Sequence, residues 1–138
     1  MSDTIHFLFA IHNHQPDGNF DEVFEHAYQH AYLPMLETIE RHPHIRLAQH
    51  FTGILIEWFH DKHPDFLDRY SALVEQGRVE MMTGGFFEPI LPSIPDRDKL
   101  GQIEALTNTI RKRFGYDPIG LWLAERVYEP YLPKPLSE

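Results

Sequence analysis

Four short apolar runs recur along the chain, at Ile5–Ile11, Ile45–His50, Arg78–Met82 and Ile119–Leu123. They are near-continuous rather than alternating, as expected of strands covered on both faces. Between them the apolar positions change to helical spacing. The first spacer predicts helices over Asp21–Gln29 and Leu33–Arg41, with Leu33, Leu36 and Ile39 on a modest core face. Pro34 suits the first turn of the second helix, where its missing N–H has no partner to lose. The second spacer predicts helices over Ile54–His60 and Asp65–Gln76. Phe66, Leu67, Tyr70, Leu73 and Val74 share one face of the latter, and Gly77 follows as a stop. In the third, Asp96 is read as the cap of a helix reaching Phe114, with Leu100, Ile103, Leu106 or Thr107, Ile110 and Phe114 inward and Gly115 ending it.

Strands joined by long helical crossovers form a parallel sheet covered by helices, so the fold class is α/β. A closed α/β barrel takes about 250 residues. Four parallel strands with three helical crossovers therefore predict an open half-barrel, occupying residues 1–138 as a single partial domain without a linker. Its unpaired sheet edges are candidate surfaces for self-association.

The composition agrees with a real core: 42% of the residues are hydrophobic and 13% aromatic. A formal charge of −9 argues against nucleic acid or an anionic membrane as partner and suits a neutral ligand such as a sugar. The absence of cysteine removes disulfides, thiol catalysis and cysteine-ligated zinc, and fits a cytoplasmic setting. The Met1–His6 segment has no basic leader region, and Phe7–Ile11 is too short for a signal core or a membrane span. The mature chain is accordingly expected to begin at Met1. His26, His30, His42, His44, His60 and His63 fall in polar segments and are read as surface residues.

In a parallel α/β sheet, functional side chains collect where strands end. That rule groups His12-Asn13-His14-Gln15-Pro16, His50, Glu88 and Glu125. Alternate residues of an extended segment face one way, so His12 and His14 can share a pocket, binding metal or donating to sugar hydroxyls. The plainer reading is one buried, hydrogen-bonded histidine. Gly84-Gly85-Phe86-Phe87-Glu88-Pro89 joins a glycine pair to two aromatics and an acid, with Pro89 expected to hold Glu88 extended. Phe86 and Phe87 suit core packing as well as sugar platforms, and Glu88 a solvated loop as well as a site. Glu125 ends an apolar strand between Trp122 and Tyr128. A carboxylate that attacks an anomeric carbon must be ionised, which Arg126 or a neighbouring histidine would favour. Glu129 is its competitor, and a simple Glu125–Arg126 salt bridge is the bland alternative. Trp122 can stack on a pyranose or pack in the core. The chain ends eight residues after Pro130, before a second carboxylate for two-carboxylate glycoside chemistry, so it is expected to be part of an enzyme.

Three ordered motifs carry a resemblance to glycoside hydrolase family 57, the α-amylase, amylopullulanase and 4-α-glucanotransferase group. They are His14-Gln15-Pro16, Gly84–Pro89 and Trp122-Leu123-Ala124-Glu125-Arg126-Val127, and the likeness runs from about Ile5 to Pro130. The segments Ile11–Pro16, Gly18-Asn19-Phe20 and Phe87–Ile90 read most like the 4-α-glucanotransferase branch. The resemblance implies an incomplete (β/α)7 barrel, of which this is the N-terminal half, acting on α-glucan or maltooligosaccharide substrates with no cofactor. It further implies retention by double displacement, with Glu125 as nucleophile and His12, His14, Glu88 and Trp122 at the donor-sugar subsite. The acid/base aspartate of the family belongs to a fourth motif beyond residue 138, so the isolated chain is expected to be inactive. Two other readings stand beside this one: a metal-dependent carbohydrate hydrolase or deacetylase using His12, His14, His50 and an acid, and a non-catalytic sugar-binding fragment.

Overall fold

The computed structural model describes residues 4–137; the sequence reading at residues 1–3 lies outside them. Strand β1 (Ala10–Asn13), helix α1 (Asp21–Ala27) and helix α2 (Leu33–Arg41) come first. Strand β2 (Leu47–Phe51), helices α3 (Gly53–Lys62) and α4 (Pro64–Glu75) and strand β3 (Val79–Met82) follow. Helix α5 (Asp96–Phe114) and the short α6 (Pro133–Leu136) complete the order. The strands form a parallel sheet in the order β1-β2-β3, with Ala10 opposite Ala48, His12 opposite His50, and His50 opposite Met82.

Among the described residues the sheet thus has three strands rather than the four expected. The fourth run contributes one bridge, Thr83 to Leu121, made by the Thr83 N–H on the Gly120 carbonyl and the Trp122 N–H on the Thr83 carbonyl. Pro118 offers no N–H upstream of it, and downstream the backbone turns at once into a 3-10 turn, Ala124–Arg126. The first strand is also displaced. It begins at Ala10, not Ile5, and Ile5, Phe7 and Leu8 are exposed. Its pairing starts where the Ala48 N–H reaches the Phe9 carbonyl, and β2 provides no backbone opposite the earlier residues.

The core lies between the sheet and α1 to α5. Phe51, Phe59, Phe66 and Tyr70 are buried in mutual edge and tilted contacts, with the Phe59 and Phe66 centroids 4.4 Å apart. Gln49 crosses this layer and is satisfied there: its Nε2 donates to the Ile11 and His50 carbonyls, and its Oε1 accepts from the Tyr70 hydroxyl. Burial pushes the Tyr70 phenol up. The predicted apolar face of α4 is buried in full, and Leu106, Ile110 and Phe114 bury one face of α5.

The first two helices are joined rather than separate. A π-helical turn, Tyr28–Tyr32, links them, and the Leu33 N–H reaches back five residues to the Tyr28 carbonyl. In α-geometry the ring of Pro34 would clash with the carbonyl four residues earlier, and the wider turn relieves that conflict. Asp96 does not cap α5. Pro95 precedes the helix without a side-chain cap, and Asp96 instead pairs with Lys99 at 2.6 Å. Gly77 and Gly115 adopt the left-handed conformation expected of helix stops. Of the histidines read as surface, His63 is the exception: it stacks on Tyr28 at 3.7 Å and meets Glu25 at 2.8 Å. No helix among the described residues is long and apolar enough to cross a membrane.

Replacing Phe59 by alanine removes the ring at the centre of the aromatic layer and is expected to cost about 3–5 kcal/mol. Urea denaturation measures this, with Phe59→Leu losing distinctly less.

Candidate active site

The site forms where the parallel strands end. Register sets His12 beside His50 on adjacent strands, and the chain leaving β3 passes through Thr83, Gly84 and Gly85 before bending back at Glu88. The glycines are required by proximity. A Cβ on Gly84 would lie 2.7 Å from His50 Nε2 and 3.1 Å from the Trp122 carbonyl, and one on Gly85 would lie 2.5 Å from the Pro89 ring. The bend is docked onto α5 by the Phe86 N–H on the Gln102 carbonyl and the Phe87 N–H on the Gln102 side chain. Phe86 is buried against Gly53, so it is a core residue, whereas Phe87 is exposed.

Glu88 is not extended, as the following proline predicted. Its φ is +53°, and its N–H closes a tight turn on the Gly85 carbonyl at 3.0 Å. The local hydrogen bond and the grip on its side chain override the preference imposed by Pro89. That grip comes from two histidines: His12 Nε2 lies 3.0 Å from one carboxylate oxygen and His14 Nδ1 lies 2.5 Å from the other. The Glu88 side chain is only 8% exposed, which removes the solvated-loop reading.

His50 completes the chain of contacts. It is fully buried, and its Nδ1 lies 2.8 Å from His12 Nδ1. Burial first, then the neighbouring charges of His12 and His14, push its pKa down to about 3, so it is neutral at ordinary pH. The two Nδ1 atoms share one bonding proton, and the tautomers set which ring donates it. His50 Nε2 then faces Gly84 without a hydrogen-bond partner. Trp122 lies flat on His12, with centroids 4.4 Å apart and planes 7° from parallel.

His12, His14, Glu88 and Trp122 are therefore brought together. Glu125 follows Trp122 by three residues, in the exposed 3-10 turn, at φ +54°. Among the described residues neither Glu125 nor Arg126 makes an ion pair, so the simple salt bridge does not form. Glu129 and Tyr128 are exposed further along the same loop. The metal reading fares poorly. The imidazoles and the carboxylate point at one another, and among the described residues no group of three or more His, Asp or Glu side chains is arranged to hold an ion.

Two participants escaped the sugar-site reading. His50 belongs to the strand-end group but not to the donor-subsite set, although it lies in β2 at the register position opposite His12 of β1. Tyr32 went unnoticed. Its hydroxyl accepts from Gln15 Nε2 at 3.1 Å and donates to the His14 carbonyl at 3.4 Å, bracing the loop after β1. The only signal in the sequence was the polar Gln15 beside His14.

Residues 8–138 match the family model for Glycosyl hydrolase family 57. The chain is 49% identical over 138 residues to an alpha-amylase of Pyrococcus furiosus and 46% identical to alpha-amylase 1 of Dictyoglomus thermophilum. All of this chain is covered, with 21% and 20% of those proteins. The crystal structure of 4-alpha-glucanotransferase from Thermococcus litoralis aligns with a TM-score of 0.92 at 47% identity, covering 94% of this chain and 20% of that one. The chain thus spans about a fifth of the length of the curated relatives it matches.

Unfolded, His50 takes its proton near its model value of 6.5; folded, near 3. Between those values the unfolded chain binds the additional proton, so the His50 contribution is present above pH 6.5 and is lost as pH falls toward 3. His50→Gln should flatten the dependence of unfolding free energy on pH in this window by up to about 1.4 kcal/mol per unit. Paired urea titrations of both proteins across the window measure the difference. Gly84→Ala forces a methyl against His50 and the Trp122 carbonyl and should cost about 1–3 kcal/mol in the same assay.

Proposed function

Because the chain belongs to glycosyl hydrolase family 57, we propose that it provides the nucleophile and donor-sugar face of a retaining enzyme acting on α-glucans, as a glycoside hydrolase or 4-α-glucanotransferase. The observation that carries this reading is the Glu88 carboxylate gripped by His12 and His14 on the strand ends that lead, through Trp122, to Glu125. Oε1 of Glu88, against His12 Nε2, retains lone-pair capacity, whereas Oε2, beside His14 Nδ1, is fully buried. Fixed acceptors of that kind orient sugar hydroxyls without reorganising when substrate arrives. The negative formal charge of the chain suits a neutral glucan.

In this reading Glu125 attacks the anomeric carbon, and the C–O bond to the leaving sugar breaks with transfer of a proton to the departing oxygen. The product is a glycosyl ester on Glu125, inverted at the anomeric carbon. Water or the hydroxyl of an acceptor sugar then attacks the same carbon, giving its proton to the group that protonated the leaving oxygen, inverting the carbon again and freeing the carboxylate, so α configuration is retained overall. Hydrolysis and transfer share the first half and differ only in the second nucleophile. The proton donor belongs about 5–5.5 Å from the nucleophile carboxylate, and by the family resemblance it comes from a motif outside these residues. His12 and Trp122, stacked face to face, form a stiff wall of the donor subsite. Exposed Phe87 and Tyr128 offer aromatic faces to sugar rings.

In the complete protein encoded by the reading frame that contains these residues, Glu125→Gln should lower kcat about a thousandfold or more. Maltooligosaccharide binding, followed by calorimetry, should change little. Undiminished turnover would remove Glu125 from the role of nucleophile.

A further inference from the structure

Lys99 is the one buried lysine among the described residues, 2% exposed. A lysine is rarely enclosed unless its charge is matched by a partner, and helix α5 gives it no reason to be there. It lies in the first turn, where the helix dipole disfavours a cation. What surrounds the ammonium is the Asp96 carboxylate at 2.6 Å and the ring of Tyr131, whose centroid is 5.2 Å away. Tyr131 is fastened a second time, its hydroxyl donating to the Pro92 carbonyl at 2.9 Å. The next residue, Leu132, is buried, and its N–H returns to the Glu129 carbonyl.

Tyr131 is the downstream end of the loop that holds Glu125. The upstream end is Trp122, held by its N–H on the Thr83 carbonyl and by the His12 stack. Between these anchors every residue from 125 to 130 is exposed, and Glu125 and Arg126 are both left-handed, at φ +54° and +55°. Two successive non-glycine residues in that region persist only where the surroundings over-determine them. The turn itself has little of its own: Arg126 N–H on the Leu123 carbonyl at 2.9 Å and Val127 N–H on the Ala124 carbonyl at 3.3 Å.

We propose that Lys99 is a positioning residue, whose ammonium clamps Tyr131 against α5 and so holds the Glu125–Arg126 turn in its left-handed shape. Its catalytic consequence rests on the reading of Glu125 as nucleophile; its structural consequence does not. Lys99→Met keeps the apolar stem and removes the charge. Hydrogen exchange at the Arg126 and Val127 amides should then rise about tenfold or more, with Ile110 and Phe114 of the same helix unaffected. Lys99→Arg, which restores a cation for Asp96 and the ring, should return the two amides to wild-type protection. In the complete protein Lys99→Met should lower kcat about tenfold and leave KM for maltooligosaccharide within about twofold. Unaltered exchange at Arg126 and Val127, equal behaviour of the Met and Arg variants, or wild-type kcat despite loosened amides would each overturn the proposal. If Lys99→Met does not fold, Tyr131→Leu removes the ring that the ammonium holds and must loosen the same two amides; full protection there ends the case. Turnover surviving Glu125→Gln would defeat the catalytic reading alone and leave the exchange result standing.

Discussion

A carboxylate enclosed by protein needs partners for its charge, and at Glu88 those partners come from a different strand end. His12 and His14 supply them from the segment leaving β1, so the bond pair ties the loop after β3 to the loop after β1 across the end of β2. The requirement then spreads inward. His12 sets Nε2 against Glu88, which turns Nδ1 toward His50; His50 meets it from a fully buried position that leaves no space for a side chain on residue 84. One carboxylate therefore accounts for two imidazole orientations, a neutral buried histidine and a glycine.

The scaffold beneath is arranged to keep those groups still. The aromatic layer of Phe51, Phe59, Phe66 and Tyr70 fills the space below β2, and Tyr70 also meets Gln49, whose amide is bonded to the carbonyls of Ile11 and His50. Packing and polar satisfaction thus converge on the backbone just before His12 and at His50. On the other side, Tyr32 and Gln15 brace the carbonyl of His14. The imidazoles hold their places because main chain and side chain are constrained separately, which is how a site keeps its geometry in the absence of substrate.

Much of this was legible in the chain. The end of helix α5 at Phe114 was legible from its apolar spacing and Gly115, though Asp96 is its first residue rather than its cap, and the buried face of α4 was named residue by residue, because helical periodicity is a local property. Strand limits are not local. The first apolar run, Ile5–Ile11, starts five residues and ends two residues before the strand it marks, and the fourth becomes a single bridge, since a strand exists only where another backbone lies opposite. The motif-bearing residues His12, His14, Glu88 and Trp122 do meet. The left-handed turn at Glu88 and the part played by His50 depend on contacts between distant segments, which no spacing rule records. Pro34 was placed correctly in a first turn, yet its effect on the preceding helix was missed.

That effect determines helical phase. The π turn at Tyr28–Tyr32 contains one residue more than an α-helical turn of the same span, so everything after it is rotated by about 100° relative to α1. Leu36 and Ile39 face the core, and Tyr32 faces the loop of His14, only in that rotated frame. A shortening of this helix by a single residue would swing α2 by slightly more than a quarter-turn, withdrawing a phenol from the site and a leucine from the interior in the same step. The alignment of the catalytic face with the core is in this sense a matter of residue count along one helix.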